Sequence, residues 1–193
     1  GDIHTKWDSF IDFSREDLPS IEKNKVKNYA IIEEGDLIMA DASEDYEGVG
    51  KSVEVKNIGK NLAIAGLHTF LLRDKAQVFV NDFKGYIHCI QLVKNQLDRL
   101  ATGLKVYGIS KGNLKKIQIP YPVDKAEQRA IAAALSDVDA LIRRIGELID
   151  KKRAIKQGAM QELLTGKRRL EGFEGKWVKT IVRAILPTDL VKK

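Results

Sequence analysis

Cysteine is almost missing from this chain: Cys89 is alone among 193 residues, so no internal disulfide framework can form, and that usage fits a reducing cytoplasm. Nor does any stretch approach the roughly 20 uninterrupted apolar residues that a bilayer crossing takes, so no membrane partner is expected. The opening Gly1-Asp2-Ile3-His4-Thr5-Lys6 has neither an initiating Met nor the look of a signal peptide, and reads as the start of a trimmed chain. The metal-ligand spacings CxxC and HExxH do not occur. Gly48-Val49-Gly50-Lys51-Ser52 lacks the earlier glycine of a phosphate loop, which sets ATP binding aside. The run Asp41-Ala42-Ser43-Glu44-Asp45-Tyr46-Glu47 alternates oxygens as a calcium loop would, but tyrosine stands where that loop needs glycine, and no metal is expected. His88 and Cys89 are neighbours, and in a strand they would point to opposite faces, which argues against a catalytic pair.

Charge is present but uneven. Residues 1–123 carry 17 Lys+Arg and 17 Asp+Glu, so the whole excess of +6 falls in residues 124–193. A basic excess favours polyanionic partners, although solubility alone also calls for charge.

Up to about residue 120 the chain reads as strand and loop. Short apolar runs at 29–32, 36–40, 52–55, 62–65, 69–72, 77–80 and 86–93 alternate with Glu34-Gly35-Asp36, Tyr46-Glu47-Gly48, Asn57-Ile58-Gly59 and Lys84-Gly85. Such spacing predicts a domain with a substantial sheet and a few helices. One helix is expected over residues 86–100, where Ile87, Ile90, Leu92, Val93 and Leu97 fall at helical intervals.

The next segment is clearer. Pro120 and Pro122 end what precedes them. Asp124 is a suitable N-cap, Glu127 completes a capping box, no proline follows before Thr165, and Gly166 is a natural stop. Ile131, Leu135, Val138, Ile142, Ile145 and Ile149 recur at alternating four- and three-residue steps, flanked by Ala134, Leu141, Leu148 and Ile155. An average step near 3.5 is the seam of a supercoiled helix pair. A helix of about 42 residues, roughly 60 Å at 1.5 Å per residue, is too long for one domain to cover, so its partner is expected on another molecule. Gly146 and Gly158 cost about 1 kcal/mol each relative to alanine and are candidate close crossings. The tail opens with Lys167-Arg168-Arg169 and continues through Phe173-Glu174-Gly175-Lys176-Trp177 into a strand-like run at 178–186, which a short helix would also fit, before Pro187.

Several of these segments, in this order, resemble the specificity subunits of type I restriction–modification enzymes. The match is strongest where Ile109-Ser110-Lys111-Gly112-Asn113-Leu114-Lys115-Lys116-Ile117-Gln118-Ile119-Pro120 leads into Ala126-Glu127-Gln128-Arg129-Ala130-Ile131-Ala132, and at the exit Gln161-Glu162-Leu163-Leu164-Thr165-Gly166-Lys167-Arg168-Arg169-Leu170. Gly35-Asp36-Leu37-Ile38 and Ala65-Gly66-Leu67-His68-Thr69 are also similar to that family, and the resemblance covers about residues 1–178.

The resemblance implies an α+β chain: a target-recognition domain at 1–120, a long conserved-region helix at 121–166, and a tail at 167–193 like the start of the next domain. Such subunits alternate two recognition domains with two antiparallel helical regions, so this chain, with one of each, reads as a truncated or circularly shifted half. Its tail would supply the missing opening strand of the same domain or of a partner's. Two copies pairing through their helices would see a symmetric split target. Partners implied are double-stranded DNA and the modification subunits, with the restriction subunit reached indirectly. Methylation and cleavage, with S-adenosylmethionine, ATP and Mg, would reside in those subunits and not here. A dimerising decoy that binds modification subunits without reading DNA is the alternative.

Base edges need directional donors and acceptors, and phosphates need cations or backbone amides. The candidates for that work are Tyr46, Lys51 and Ser52 in a glycine-punctuated loop, His68 and Thr69, and Lys111, Asn113 and Lys115 in a polar loop around Gly112. Each has a plainer reading: a hairpin, a histidine hydrogen-bonded inside a sheet (His4 shares this choice), and a solvated turn.

Overall fold

The computed structural model describes residues 2–26, 28–45 and 48–181. It separates into two compact units, Gly1–Asp137 and Val138–Lys193.

The first unit is built on a mixed sheet of four strands in the order β1 (Phe10–Asp12), β4 (Ser52–Lys56), β2 (Leu37–Ala40), β5 (Thr69–Leu72). β1 runs parallel to β4, while β2 is antiparallel to both β4 and β5. A two-residue ladder joins β3 (Ala42–Ser43) to β6 (Tyr107–Gly108). Around the sheet lie α1 (Asp2–Thr5), a 3₁₀ turn (Lys23–Val26), a second 3₁₀ helix (Lys84–Cys89), α2 (Gln91–Leu100) and α3 (Lys111–Leu114).

The central strands β2 and β4 are buried on both faces. β2 accordingly reads as a continuous apolar run, while β4 alternates, with Val53 and Val55 on one face and the buried polar Ser52 and Glu54 on the other. One face packs Ile11, Ile32, Ile38, Val53 and Val55; the other packs Leu37, Phe83, Ile87, Val93, Leu97, Ile109 and Ala132. The runs at 29–32 and 62–65 meet only as the bridge Ile31–Ile64. The expected strand at 77–80 is a loop, because its backbone is engaged elsewhere: Phe79 N–H donates to Asp74 (2.8 Å) and Val80 N–H to Gln128 (2.9 Å). The helix expected over 86–100 is two pieces, since Ile90 is extended at φ −67°, ψ 119° and divides the 3₁₀ helix from α2.

The long helix α4 spans Lys125–Leu163, 39 residues or about 58 Å. Asp124 caps it, its carboxylate accepting from Ala126 N–H at 2.7 Å. Its first turns belong to the first unit: Gln128 is fully buried and Ala132 nearly so. The Gln128 side chain accepts from Val80 N–H and donates to the carbonyls of Pro122 (2.7 Å) and Val78 (3.2 Å). Gly166, at φ +72°, ends the helix with its N–H on Leu163 O, and the Trp177 ring packs over it. Residues 173–181 form no strand, and the rest of the strand-like run expected at 178–186, with Pro187, lies outside the described residues. Among the described residues no helix is long and apolar enough to cross a membrane.

Candidate nucleic-acid interface

Strand register decides which loops meet. Ala40 at the end of β2 pairs with Thr69 at the start of β5, and its N–H donates to Lys51 O just before β4. The next residue, Asp41, takes Ile109 N–H on its carbonyl (2.9 Å) and donates its own N–H to His68 O (3.3 Å). The segments at 41–45, 48–51, 66–69 and 102–111 therefore converge at one end of the sheet. Lys51, the neighbours His68 and Thr69, and Lys111 come from three separate places in the sequence to that end.

His68 is exposed, with Nδ1 3.6 Å from Asp41, so it is not the histidine inside a sheet that was the alternative. Thr69 donates its hydroxyl to Gly66 O (2.6 Å), which tightens the turn before β5. Lys51 is half-buried and donates Nζ to His4 O (3.1 Å). His4 in turn lies 3.1 Å from Ala42 O through Nε2, a structural role beside the ladder. Tyr46 lies outside the described residues.

Three expectations are corrected. Ser52 is 0% exposed on β4, where its side chain joins the sheet interior, so it is withdrawn as a DNA contact. Lys111 and Asn113 are not in a loop: Ser110 accepts from Asn113 N–H at 3.1 Å and caps the short helix α3, while Lys115 stands in the turn that ends it. Asn113 is half-buried and its amide donates to Leu100 O (3.2 Å), so it braces α3 against the end of α2, while Lys111 and Lys115 stay exposed. His88 and Cys89 do not point apart. They end a 3₁₀ helix, where successive side chains turn by about 120° and not 180°, and Sγ lies 3.3 Å from Nε2. Burial, followed by the nearby Lys51 ammonium, pushes His88 down to about 4, so the imidazole is neutral at pH 7. The two line a small cavity with Lys51, Gln91 and Lys94.

The described part of the acidic run, 41–45, has its own structural use. Asp45 accepts from Gly48 N–H (2.6 Å) and Ser43 Oγ (3.2 Å), closing the turn on itself. On β4, Glu54 is fully buried; its oxygens take the N–H groups of Asp82 (2.9 Å) and Gly85 (2.8 Å), and Lys84 Nζ lies 3.6 Å away. Burial pushes its carboxyl above the usual range in spite of those donors.

Along α4, Ile131 is half-buried and packs on the first unit's core, so it serves that core and not a free seam. Leu135, Val138, Ile142, Ile145 and Ile149 are exposed.

The model of the type I restriction modification DNA specificity domain matches residues 13–152. The chain belongs to that family. Its fold is similar to that of the Type-I restriction-modification system S subunit from M. genitalium: TM-score 0.51, 19% identity, 70% of this chain and 34% of that one. This specificity-domain chain thus spans about a third of that subunit's length. The mixed α/β unit followed by a long helix is the shared architecture.

Sequence reasoning missed the loop at 103–107, whose Leu104 is the most exposed large apolar residue described. A signal for it was present. Within the neutral span 1–123, residues 91–123 hold six Lys or Arg and a lone Asp, while residues 1–90 hold 11 basic and 16 acidic groups. Counting the whole span together hides that division.

Proposed function

We propose that the chain is a half-length DNA-specificity subunit that reads one half of a split target and pairs with a second copy through α4. The observation that carries the pairing is the state of α4 beyond Asp137: no residue of 138–163 is buried, and Val138, Leu141, Ile142, Ile145, Leu148 and Ile149 recur at three- and four-residue steps. A stripe of that spacing is stable in water when a second helix covers it. Membership of a DNA-specificity family supports the reading of DNA, as does the convergence of polar loops at one end of the sheet. The paired chains would scaffold modification subunits in the cytoplasm. S-adenosylmethionine, ATP and Mg, together with methylation and cleavage, are assigned to partner subunits, the restriction subunit joining indirectly. The recognition domain would then be 1–120, the spacer 121–166, and 167–193 the opening of a further domain.

Light scattering on the purified chain tests the pairing, alone and with Ile142→Asp and Ile145→Asp together. A dimer that the double variant reduces to a monomer is the expected result. A wild-type monomer would overturn it and assign the stripe to a modification subunit or a missing half.

A further inference from the structure

The loop after α2 combines features that the reading above leaves unused. Thr102 and Gly108 exchange both backbone hydrogen bonds, at 2.9 Å each, and close the five residues 103–107 into a tight turn. Glycine is required at its first position, because a Cβ on Gly103 would run into the carbonyl of Val106. The turn therefore holds its next residue outward, and Leu104 is 97% exposed at the crown beside exposed Lys105.

The base of the turn is braced on both sides. Asn113 ties α3 to Leu100 O, and Ile109 N–H is anchored on Asp41 at the end of β2. That bracing sets Arg99 just before the turn and Lys111 and Lys115 just after it, all exposed. Among the described residues, no ion pair engages Arg99, Lys105, Lys111 or Lys115, and Asp98 is the lone acid in 91–123.

An isolated exposed leucine needs no explanation. A leucine held out by a glycine turn, with exposed cations that make no ion pair before, within and after that turn in the chain, does. A protein partner is disfavoured, since the centres of protein interfaces are depleted in lysine. A nucleic-acid duplex fits both parts: cations meet phosphates, and an apolar side chain slips between base steps and kinks the helix. Resting on the DNA-reading function proposed above, we infer that Leu104 is a wedge. The crown of the turn enters a groove of double-stranded DNA and Leu104 partly unstacks one base step. Lys105, Arg99, Lys111 and Lys115 hold the phosphates on either side.

The test starts from a pool of end-labelled duplexes with randomised centres, selected on the full wild-type chain. Energy transfer between the end labels of the enriched duplex then reports bending, and 2-aminopurine placed in turn at its central steps reports unstacking. The wedge predicts that wild type bends the duplex and brightens one step, and that Leu104→Ala does neither while its affinity falls by no more than about tenfold. Lys105→Gln should keep the sequence preference but lower the slope of log affinity against log salt by about 1. An enriched sequence with no bend, or a bend that Leu104→Ala leaves intact, overturns the wedge and leaves DNA reading standing. Failure to enrich any sequence, from a chain whose circular dichroism shows it folded, overturns DNA reading and the wedge with it.

Discussion

Glu54, fully buried, and His88, half-buried, are two titratable side chains that the fold treats differently. The Glu54 carboxylate holds the 82–85 segment against β4 through two backbone N–H groups. Replacing it by glutamine turns one accepting oxygen into a donor that faces an N–H. Glu54→Gln should therefore cost about 1–3 kcal/mol, read as a lower midpoint in urea with an unchanged slope. An unshifted midpoint would mean the carboxylate is dispensable. For His88, the folded state binds its proton only near pH 4, whereas the unfolded chain binds it near 6.5. Its contribution to stability is complete above pH 6.5 and drains away as the pH falls toward 4, on the order of 2–3 kcal/mol. Melting temperature followed across that window should fall less steeply for His88→Gln than for wild type; parallel curves would refute this.

At the scale of elements, α4 shows what sequence can disclose. Its caps, its 3.5-residue repeat and its proline-free length are all local, so its bounds were legible within a few residues. Gly158, with no atom within 4 Å of where a Cβ would stand, costs the helix its rigidity and gives nothing back inside the chain. Gly158→Ala should thus stabilise by roughly 1 kcal/mol, seen as helical ellipticity that persists to higher temperature. A loss of stability would identify Gly158 as a point where a second helix crosses closely. The sheet was less legible, for reasons that lie in its pairing. Strand β2 is apolar on both faces and carries no alternation, while β4 alternates but buries its polar Ser52 and Glu54 as well. The 77–80 run looked like a strand because its apolar side chains serve the core while its backbone serves Gln128 and Asp74. Ile90 broke the 86–100 helix without any glycine or proline to announce it. The candidate interface was half legible: residue types and loops were visible, but Ser52 turned out to face inward and Asn113 to serve as a brace, facts fixed by contacts from distant sequence.

Across the whole molecule, the mixed unit followed by a long helix follows from composition and periodicity together, and membership of the DNA-specificity family agrees with the motifs at the join. Those motifs include Gln128, whose fully buried amide makes three bonds to the backbone of Val78, Val80 and Pro122. The consequence can be put in terms of amide hydrogen exchange. Around residues 128–132, protons can leave only when the first unit's core opens, so their protection should approach that of β2 and β4. In the monomer, amides of 138–163 can exchange through fraying and local opening, with much lower protection. One unbroken helix should thus show two exchange regimes, with the step near Asp137. On pairing, the second regime alone should slow, and a uniform profile along all 39 residues would show that the helix opens as a single unit.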